Sequence, residues 1–217
     1  SEKHGVDLII DTVKKNAGNI HIIATGPLSN VAMALRKAPE IKSMISGIYA
    51  ISGAFGLNEY SYLNATGDSP QSEWNVFVDP EAADIVYNAG VNFVAIGLDV
   101  ATHSKVNFTE DNIKNLKQSE KREAQFLSQA IQFVEGRGYD SYCAVIDCMA
   151  IAYAIDPDLI ETMRGKVGIE TKGQLTLGNT VLERRHHHAL ENLAEIKIGV
   201  KADFGKFLEL LMELVLK

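Results

Sequence analysis

The sequence has 217 residues with a formal net charge of −7, and 46% of the residues are hydrophobic. This length and composition suffice for one large domain or two small ones with a real core. The acidic balance argues against nucleic acid as a partner, and no apolar run is long enough to cross a membrane.

Helical and strand patterns alternate along the first two thirds of the chain. Apolar residues at helical spacing predict helices over residues 5–15, 28–38, 81–89, 120–135 and 142–154, and a last helix from residue 204 onward. Short apolar runs predict strands at residues 20–24, 44–52, 91–98 and 196–200, and a strand pair around Gly173 within residues 167–177. Residues 58–72 and 181–195 are expected to be loops. The alternation predicts an α/β fold with an open, mostly parallel sheet flanked by helices.

Several residues have the chemistry of helix N-caps. Thr109 precedes a helical pattern, Asp79 precedes Pro80 at the start of another, and Asp203 precedes the terminal helix. Their side-chain oxygens are suited to accept the free backbone N–H groups of a first helical turn.

The segment from His21 to Arg36 is typical of a buried strand, a sharp turn and a helix. Thr25 lies where the strand ends, and Gly26-Pro27 forms the turn. In an open α/β sheet, ligands bind where strands end and helices begin. We therefore expect the function to lie near the Thr25 backbone, with the loops over residues 52–75 and 99–103 on the same face.

Asp147 is a single acid in an otherwise apolar helical segment. A buried carboxylate must be capped, paired or bound to a cation. The residues alone leave two interpretations equally open: a carboxylate satisfied by helix N–H groups, or a metal ligand. A hard cation such as Ca²⁺ favours carboxylates with backbone carbonyls, and the Thr25 carbonyl is a candidate partner.

Glu73 and Asn75 lie two residues apart, on either side of Trp74. On an extended chain their side chains would project to one face, where they could bind the vicinal hydroxyls of a sugar. Trp74 would then point into the packing. The alternative interpretation is that residues 73–75 are the exposed start of a strand, with no binding role.

The histidines and cysteines give weaker indications. The histidine run 186–188 favours a solvated loop, because adjacent histidines do not share one face, although one of them could reach the mouth of a site. His103 follows a strand end and could lie near the site. Cys143 and Cys148 are expected to be buried free thiols of a reducing cytosol.

The sequence resembles the inosine–uridine-preferring nucleoside hydrolase family along essentially its whole length. The matching segments, in chain order, are residues 24–32, 51–55, 72–83, 97–99, 146–157 and 173–178. The resemblance implies an open α/β sheet whose site lies at the strand carboxyl ends. It also implies hydrolysis of the N-glycosidic bond of ribonucleosides to base and ribose, with a bound Ca²⁺, as a step of nucleoside salvage.

The resemblance implies two groups of site residues. The metal ligands would be Thr25, through its backbone carbonyl, and Asp147. The ribose-binding residues would be Glu73 and Asn75, with Asp68 and Asn64 as candidates for a further ribose contact.

The sequence departs from the family pattern in two respects. The acidic Asp-x-Asp-x-Gly-x-Asp-Asp cluster, which supplies the general base and other calcium ligands, is absent, so we expect it upstream of Ser1. Residues 1–217 are then a single truncated nucleoside hydrolase domain, without a catalytic residue of its own, inactive alone and with weak or no Ca²⁺ binding. Ile146 also replaces a family His proposed as the leaving-group acid, and Ile51 replaces a family Met.

Two other functions compete with this interpretation. A non-catalytic α/β domain would retain the fold and weak ribose binding. A generic nucleotide-binding domain is disfavoured, because the sequence has no glycine-rich phosphate-binding pattern. For the parent protein we expect a cytoplasmic homo-oligomer that takes a ribonucleoside, with no nucleic acid and no membrane as partners.

Overall fold

A computed structural model describes residues 3–102, 107–185 and 190–217. The helices are α1 Gly5–Lys15, α2 Ser29–Lys37, α3 Tyr60–Leu63, α4 Trp74–Val78, α5 Pro80–Tyr87, α6 Leu98–Ala101, α7 Glu110–Gln118, α8 Arg122–Gly136, α9 Cys148–Ile155 and α10 Phe204–Leu216. The strands are β1 His21–Ala24, β2 Gly47–Ile51, β3 Phe93–Ile96, β4 Ile160–Ile169, β5 Thr180–Leu182 and β6 Glu195–Ala202.

These strands form one sheet in the order β1-β2-β3-β6-β4-β5. Strands β1, β2, β3 and β6 are parallel, whereas β4 is antiparallel to both β6 and β5. The predicted α/β architecture with a mostly parallel sheet is confirmed. The carboxyl ends of the four parallel strands therefore lie along one edge, which we call the carboxyl edge.

Helices cover both faces of the sheet, which explains why its strands are continuous apolar runs. Along β2, Ile48 and Ala50 belong to one core, which α1, α2 and α5 cover. Tyr49 and Ile51 belong to the other, which α6, α8, α9 and α10 cover. This alternation follows from the two-residue repeat of a strand.

The predicted N-caps are confirmed. The side chains of Asp79 and Asp203 accept the Ala82 and Lys206 N–H groups. Thr109 forms a reciprocal capping box with Asn112. These three helices begin where their local sequence predicts, because capping depends only on neighbouring residues.

Two predicted elements are wrong in extent. The helix predicted over 142–154 is a 3₁₀ turn at Ser141–Ala144 followed by α9 from Cys148, because Asn107 binds the start of that turn from another part of the chain. The strand pair predicted around Gly173 instead pairs β4, which begins at Ile160, with β5. Residues near Gly173 form a turn in which the Glu170 carboxylate accepts the Lys172 and Gly173 N–H groups.

No helix in the described ranges is long and apolar enough to span a membrane.

Candidate active site

The carboxyl edge brings together the strand ends that the sequence singles out. Thr25 follows β1, Ser52 follows β2 and Gly97 follows β3. The parallel register places these three positions side by side. An open α/β sheet binds its ligands at such an edge.

Glu73 is a deeply buried acid near this edge, with 3% of its surface exposed. It is the N-cap of α4, and its carboxylate accepts the N–H groups of Asn75 at 2.7 Å and Val76 at 3.1 Å. A third N–H, from Gly53, binds the same carboxylate at 3.2 Å. The expected extended conformation of residues 73–75 is therefore wrong, because the Glu73 side chain itself initiates a helix.

Burial raises the pKa of the Glu73 carboxyl from 4.5 to about 7. The three N–H donors act in the opposite direction because they stabilise the anion, whereas the negative charge of Asp147 adds to the increase. Asp147 thus lies near Glu73. A carboxyl that titrates near neutrality at a strand-end site is suited to ligand binding.

Asn75 lies in the first turn of α4 and points back to the sheet. Its Nδ2 donates to the Ile51 carbonyl at 3.0 Å. Its Oδ1 makes no hydrogen bond to another of the described residues, so this oxygen and one amide hydrogen remain for a ligand. Glu73 and Asn75 therefore both bind backbone groups at the end of β2, from the N-cap and the first turn of α4.

Trp74, between these two residues, does not pack inward as expected. Its side chain is 49% exposed, and its ring lies against Phe77 with centroids 6.3 Å apart. The helical conformation of α4 turns Trp74 outward because Val76 occupies the inward position. An exposed indole beside the Glu73–Asn75 pair remains as an apolar surface.

Asp147 is exposed, which corrects the expectation of a buried carboxylate. It is the N-cap residue of α9, yet its side chain makes no capping hydrogen bond, so the capping interpretation is also wrong. Partial desolvation raises the pKa of its carboxyl. Since no helix N–H group satisfies it, the Asp147 carboxylate is available to a ligand.

The packing of α9 places Asp147 at the carboxyl edge. Near the far end of α9, Tyr153 contacts Tyr49 edge-to-face at 5.0 Å. Tyr49 in turn stacks at 5.2 Å on His21, the first residue of β1. Helix α9 therefore packs against β1 and β2, and the effect of Asp147 on the Glu73 pKa brings the beginning of α9 toward the carboxyl edge.

Thr25 and Asp147 alone do not complete a calcium site. Thr25 is exposed immediately after β1. Among the described residues, no group of three or more His, Cys, Asp or Glu side chains could hold a metal ion. Calcium takes about six to eight oxygen ligands, so one carbonyl and one carboxylate are too few.

The other candidate residues are placed less centrally. Asn64 donates from Nδ2 to the Thr102 hydroxyl at 3.0 Å and carbonyl at 3.2 Å, and Asp68 is exposed. Within the described ranges, neither is hydrogen-bonded to Glu73 or Asn75. Their contact with ribose stays a prediction. His103 and the histidine run 186–188 lie outside the described residues.

Cys143 and Cys148 are free, half-buried thiols. Burial raises the pKa of both, so they are poor nucleophiles at neutral pH.

A polar cavity of about 630 Å³ opens at the same edge, between the ends of β3 and β6. Its polar lining residues include Asn58, Asp158, Glu161, Lys201 and Asp203, but not Glu73, Asn75 or Asp147. It is a separate concavity, distinct from the Glu73–Asn75 pair.

Two buried residues of this region escape sequence reasoning. Asp99 is 2% exposed and Thr180 is 4% exposed, and both bind backbone groups of the segment after β2. In the sequence, Asp99 belongs to the matching segment 97–99 and to the strand-end loop 99–103, but nothing there predicts its burial. Thr180 gave no signal, since its partner Ala54 lies 126 residues away.

Comparison with known proteins agrees with this fold. The model of the inosine-uridine preferring nucleoside hydrolase family matches residues 1–209. The inosine-uridine preferring nucleoside hydrolase of Leishmania major is 36% identical over 94% of the chain, and the pyrimidine-specific ribonucleoside hydrolase RihA of Escherichia coli is 31% identical over 96%. The purine-preferring ribonucleoside hydrolase of Gardnerella vaginalis superposes on 99% of the chain with a TM-score of 0.79 and 28% identity, and the chain covers 66% of that structure. The chain spans 63% and 65% of the two sequence relatives.

Proposed function

Because the chain belongs to the inosine–uridine preferring nucleoside hydrolase family, we propose that it forms the ribose-binding part of an enzyme that hydrolyses the N-glycosidic bond of ribonucleosides. The products would be a free base and ribose, as in nucleoside salvage. The observation that carries this proposal is the buried Glu73 carboxylate beside Asn75 at the end of β2, with Asp147 near enough to raise its pKa.

The Glu73–Asn75 pair supports ribose binding through its unused hydrogen-bonding capacity. The Glu73 carboxylate accepts three backbone N–H groups, which fix its position and leave an acceptor direction free. Asn75 keeps an oxygen acceptor and one amide donor. Neighbouring ribose hydroxyls both donate and accept, so they match this combination.

The chemistry makes such fixed polar groups useful. As the bond from the anomeric carbon to the base nitrogen breaks, the ribose ring flattens and gains positive charge, and a water oxygen then bonds to that carbon. Hydrogen bonds that tighten on the flattened ring stabilise the transition state more than the substrate. The negative charges of Glu73 and Asp147 favour the developing positive charge. A general base must take the proton of the water. We propose that this base is an Asp of the family's acidic cluster, which is absent from the 217 residues.

Calcium dependence is the finer part of the proposal. In a longer protein that carries the acidic cluster, Asp147 and the Thr25 carbonyl would be two of the ligands, and the bound ion would hold and acidify a water molecule. In the part of the chain that the structure describes, no cluster of three or more His, Cys, Asp or Glu side chains completes such a site.

We expect the 217-residue chain to bind Ca²⁺ with a dissociation constant of about 1 mM or weaker. Isothermal titration calorimetry with CaCl₂ measures this directly. Asp147→Asn is the control, because it should remove what binding remains. Micromolar affinity in the wild-type chain would contradict the incomplete donor set.

Hydrolysis is tested with a reducing-sugar assay on inosine and uridine. A longer form of the protein that carries the acidic cluster should release ribose, whereas the 217-residue chain should not. Turnover by the short chain at the rate of the long form would overturn the proposed source of the general base. Lack of turnover by the long form would overturn the proposed activity.

A second candidate is a non-catalytic domain that keeps the fold and weak ribose binding. The small donor set of one carbonyl and one carboxylate at Thr25 and Asp147 favours it. Ribose binding without hydrolysis in the longer form would select this candidate. In either case we propose a cytoplasmic homo-oligomer, and the free thiols Cys143 and Cys148 support a reducing compartment.

A further inference from the structure

The segment after β2, residues 52–57, is held entirely by groups from distant parts of the chain. We call it the β2 loop. It leaves the sheet through Gly53 at φ 90° and Gly56 at φ 69°, a conformation that favours glycine. The loop is largely buried and has no regular structure of its own, so its backbone N–H and carbonyl groups need partners from elsewhere.

Thr180, at the start of β5, binds both polar backbone groups of Ala54. Its hydroxyl accepts the Ala54 N–H at 3.0 Å and donates to the Ala54 carbonyl at 2.7 Å. The side chain is buried, so water cannot replace it. A single hydroxyl therefore attaches the middle of the β2 loop to the antiparallel part of the sheet.

Asp99, in the first turn of α6, binds the second half of the loop. Its carboxylate accepts the Phe55 N–H at 2.8 Å and the Leu57 N–H at 2.7 Å, and Ser61 donates its hydroxyl to the same group. Charge-assisted bonds of this kind are among the stronger hydrogen bonds of a protein. The loop is therefore fixed from two sides.

The β2 loop and the strand residue that precedes it bind the Glu73–Asn75 pair. Gly53 donates its N–H to Glu73 Oε2 at 3.2 Å. The carbonyl of Ile51, the last residue before the loop, accepts the Asn75 side chain at 3.0 Å. A shift of the loop backbone would displace Gly53, the partner of Glu73, directly, and would reach Asn75 through Ile51 at the end of β2.

We propose that Thr180 and Asp99 are positioning residues for Glu73 and Asn75, which they orient through the backbone of the β2 loop without touching the ligand. The inference rests on the proposed ribose binding for its functional consequence. The positioning itself concerns only contacts within the chain.

The test replaces Thr180 by Val, which keeps the shape but removes the hydroxyl, and by Ser, which keeps the hydroxyl. Two quantities are measured by NMR on the 217-residue chain: ribose affinity, and the pKa of Glu73 from its ¹³C side-chain carboxyl signal. For Thr180→Val we expect ribose affinity to fall about tenfold or more and the Glu73 pKa to rise, because the Gly53 N–H bond weakens. Thr180→Ser should keep a ribose affinity and a Glu73 pKa close to those of the wild type.

Ile131→Val is the matched control for a general loss of stability. Ile131 is 1% exposed and belongs to the core that α8 covers, whereas Phe55 of the β2 loop belongs to the other core. This variant should move neither the ribose affinity nor the Glu73 pKa. If Thr180→Val does not fold, Asp99→Asn serves instead. It removes the negative charge of the carboxylate that accepts the Phe55 and Leu57 N–H groups.

The outcomes separate the two proposals. Wild-type ribose affinity and an unchanged Glu73 pKa in Thr180→Val, or in Asp99→Asn if that variant is used, overturn the positioning role. If the wild-type chain binds no ribose while the variant still raises the Glu73 pKa, ribose binding fails and the positioning role stands.

Discussion

Replacing Glu73 by Gln is expected to remove about 3 kcal/mol of pH dependence from the free energy of unfolding. The effect arises because burial raises the pKa of this carboxyl in the folded chain from 4.5 to about 7. No other carboxyl group in the described ranges has a larger increase in pKa.

The sign follows from the protons bound in each state. Between pH 4.5 and about pH 7, folded Glu73 keeps a proton that the unfolded chain has lost. Stability contributed by this group is therefore fully present below pH 4.5 and is lost as the pH rises through about 7. Above that range its contribution is constant.

Urea unfolding at a series of pH values measures the effect as a difference between wild type and Glu73→Gln. As the pH rises, the wild type should lose free energy of unfolding relative to Glu73→Gln. The other acids do not contribute to this difference, because both proteins contain them. Glu81→Gln, at an exposed position of α5, is the control and should track the wild type. A difference that is flat across this range would contradict the buried, protonated Glu73.

Replacing Asp147 by Asn is expected to lower the turnover of the longer, active form at least about a hundredfold while leaving stability within about 0.5 kcal/mol. The carboxylate is exposed and makes no capping hydrogen bond, so its removal costs the fold little. Its negative charge also raises the Glu73 pKa, so Asp147→Asn should lower that pKa.

Reducing-sugar assays, thermal unfolding and the Glu73 carboxyl titration measure these three effects. Asp158→Asn, at an exposed acid that lines the other cavity, is the control and should change none of them. A large loss of stability in Asp147→Asn would assign this residue a structural role instead.

Local signals predicted much of the fold. The helix Gly5–Lys15 has the expected bounds, and the caps at Asp79, Thr109 and Asp203 are where the sequence places them. Capping and periodicity depend on residues a few positions apart, so one sequence suffices to detect them.

Features that depend on tertiary partners were missed or wrong. Helix α4 has only five residues, and its start depends on Glu73, which also binds the distant Gly53. The expected burial of Asp147 is wrong, because its sequence neighbours are apolar but do not cover its side chain. The Thr180–Ala54 contact joins residues too far apart for any local pattern to reveal.

The most direct test of the account is an NMR titration of the 217-residue chain with ribose, observed at side-chain carboxyl and amide signals. The Glu73 carboxyl and the Asn75 side-chain amide should shift together and saturate with one dissociation constant, and Asn75→Ala should abolish the Glu73 shift. If shifts appear only at the cavity lined by Asp158, Glu161 and Lys201, the Glu73–Asn75 pair is not the ribose site.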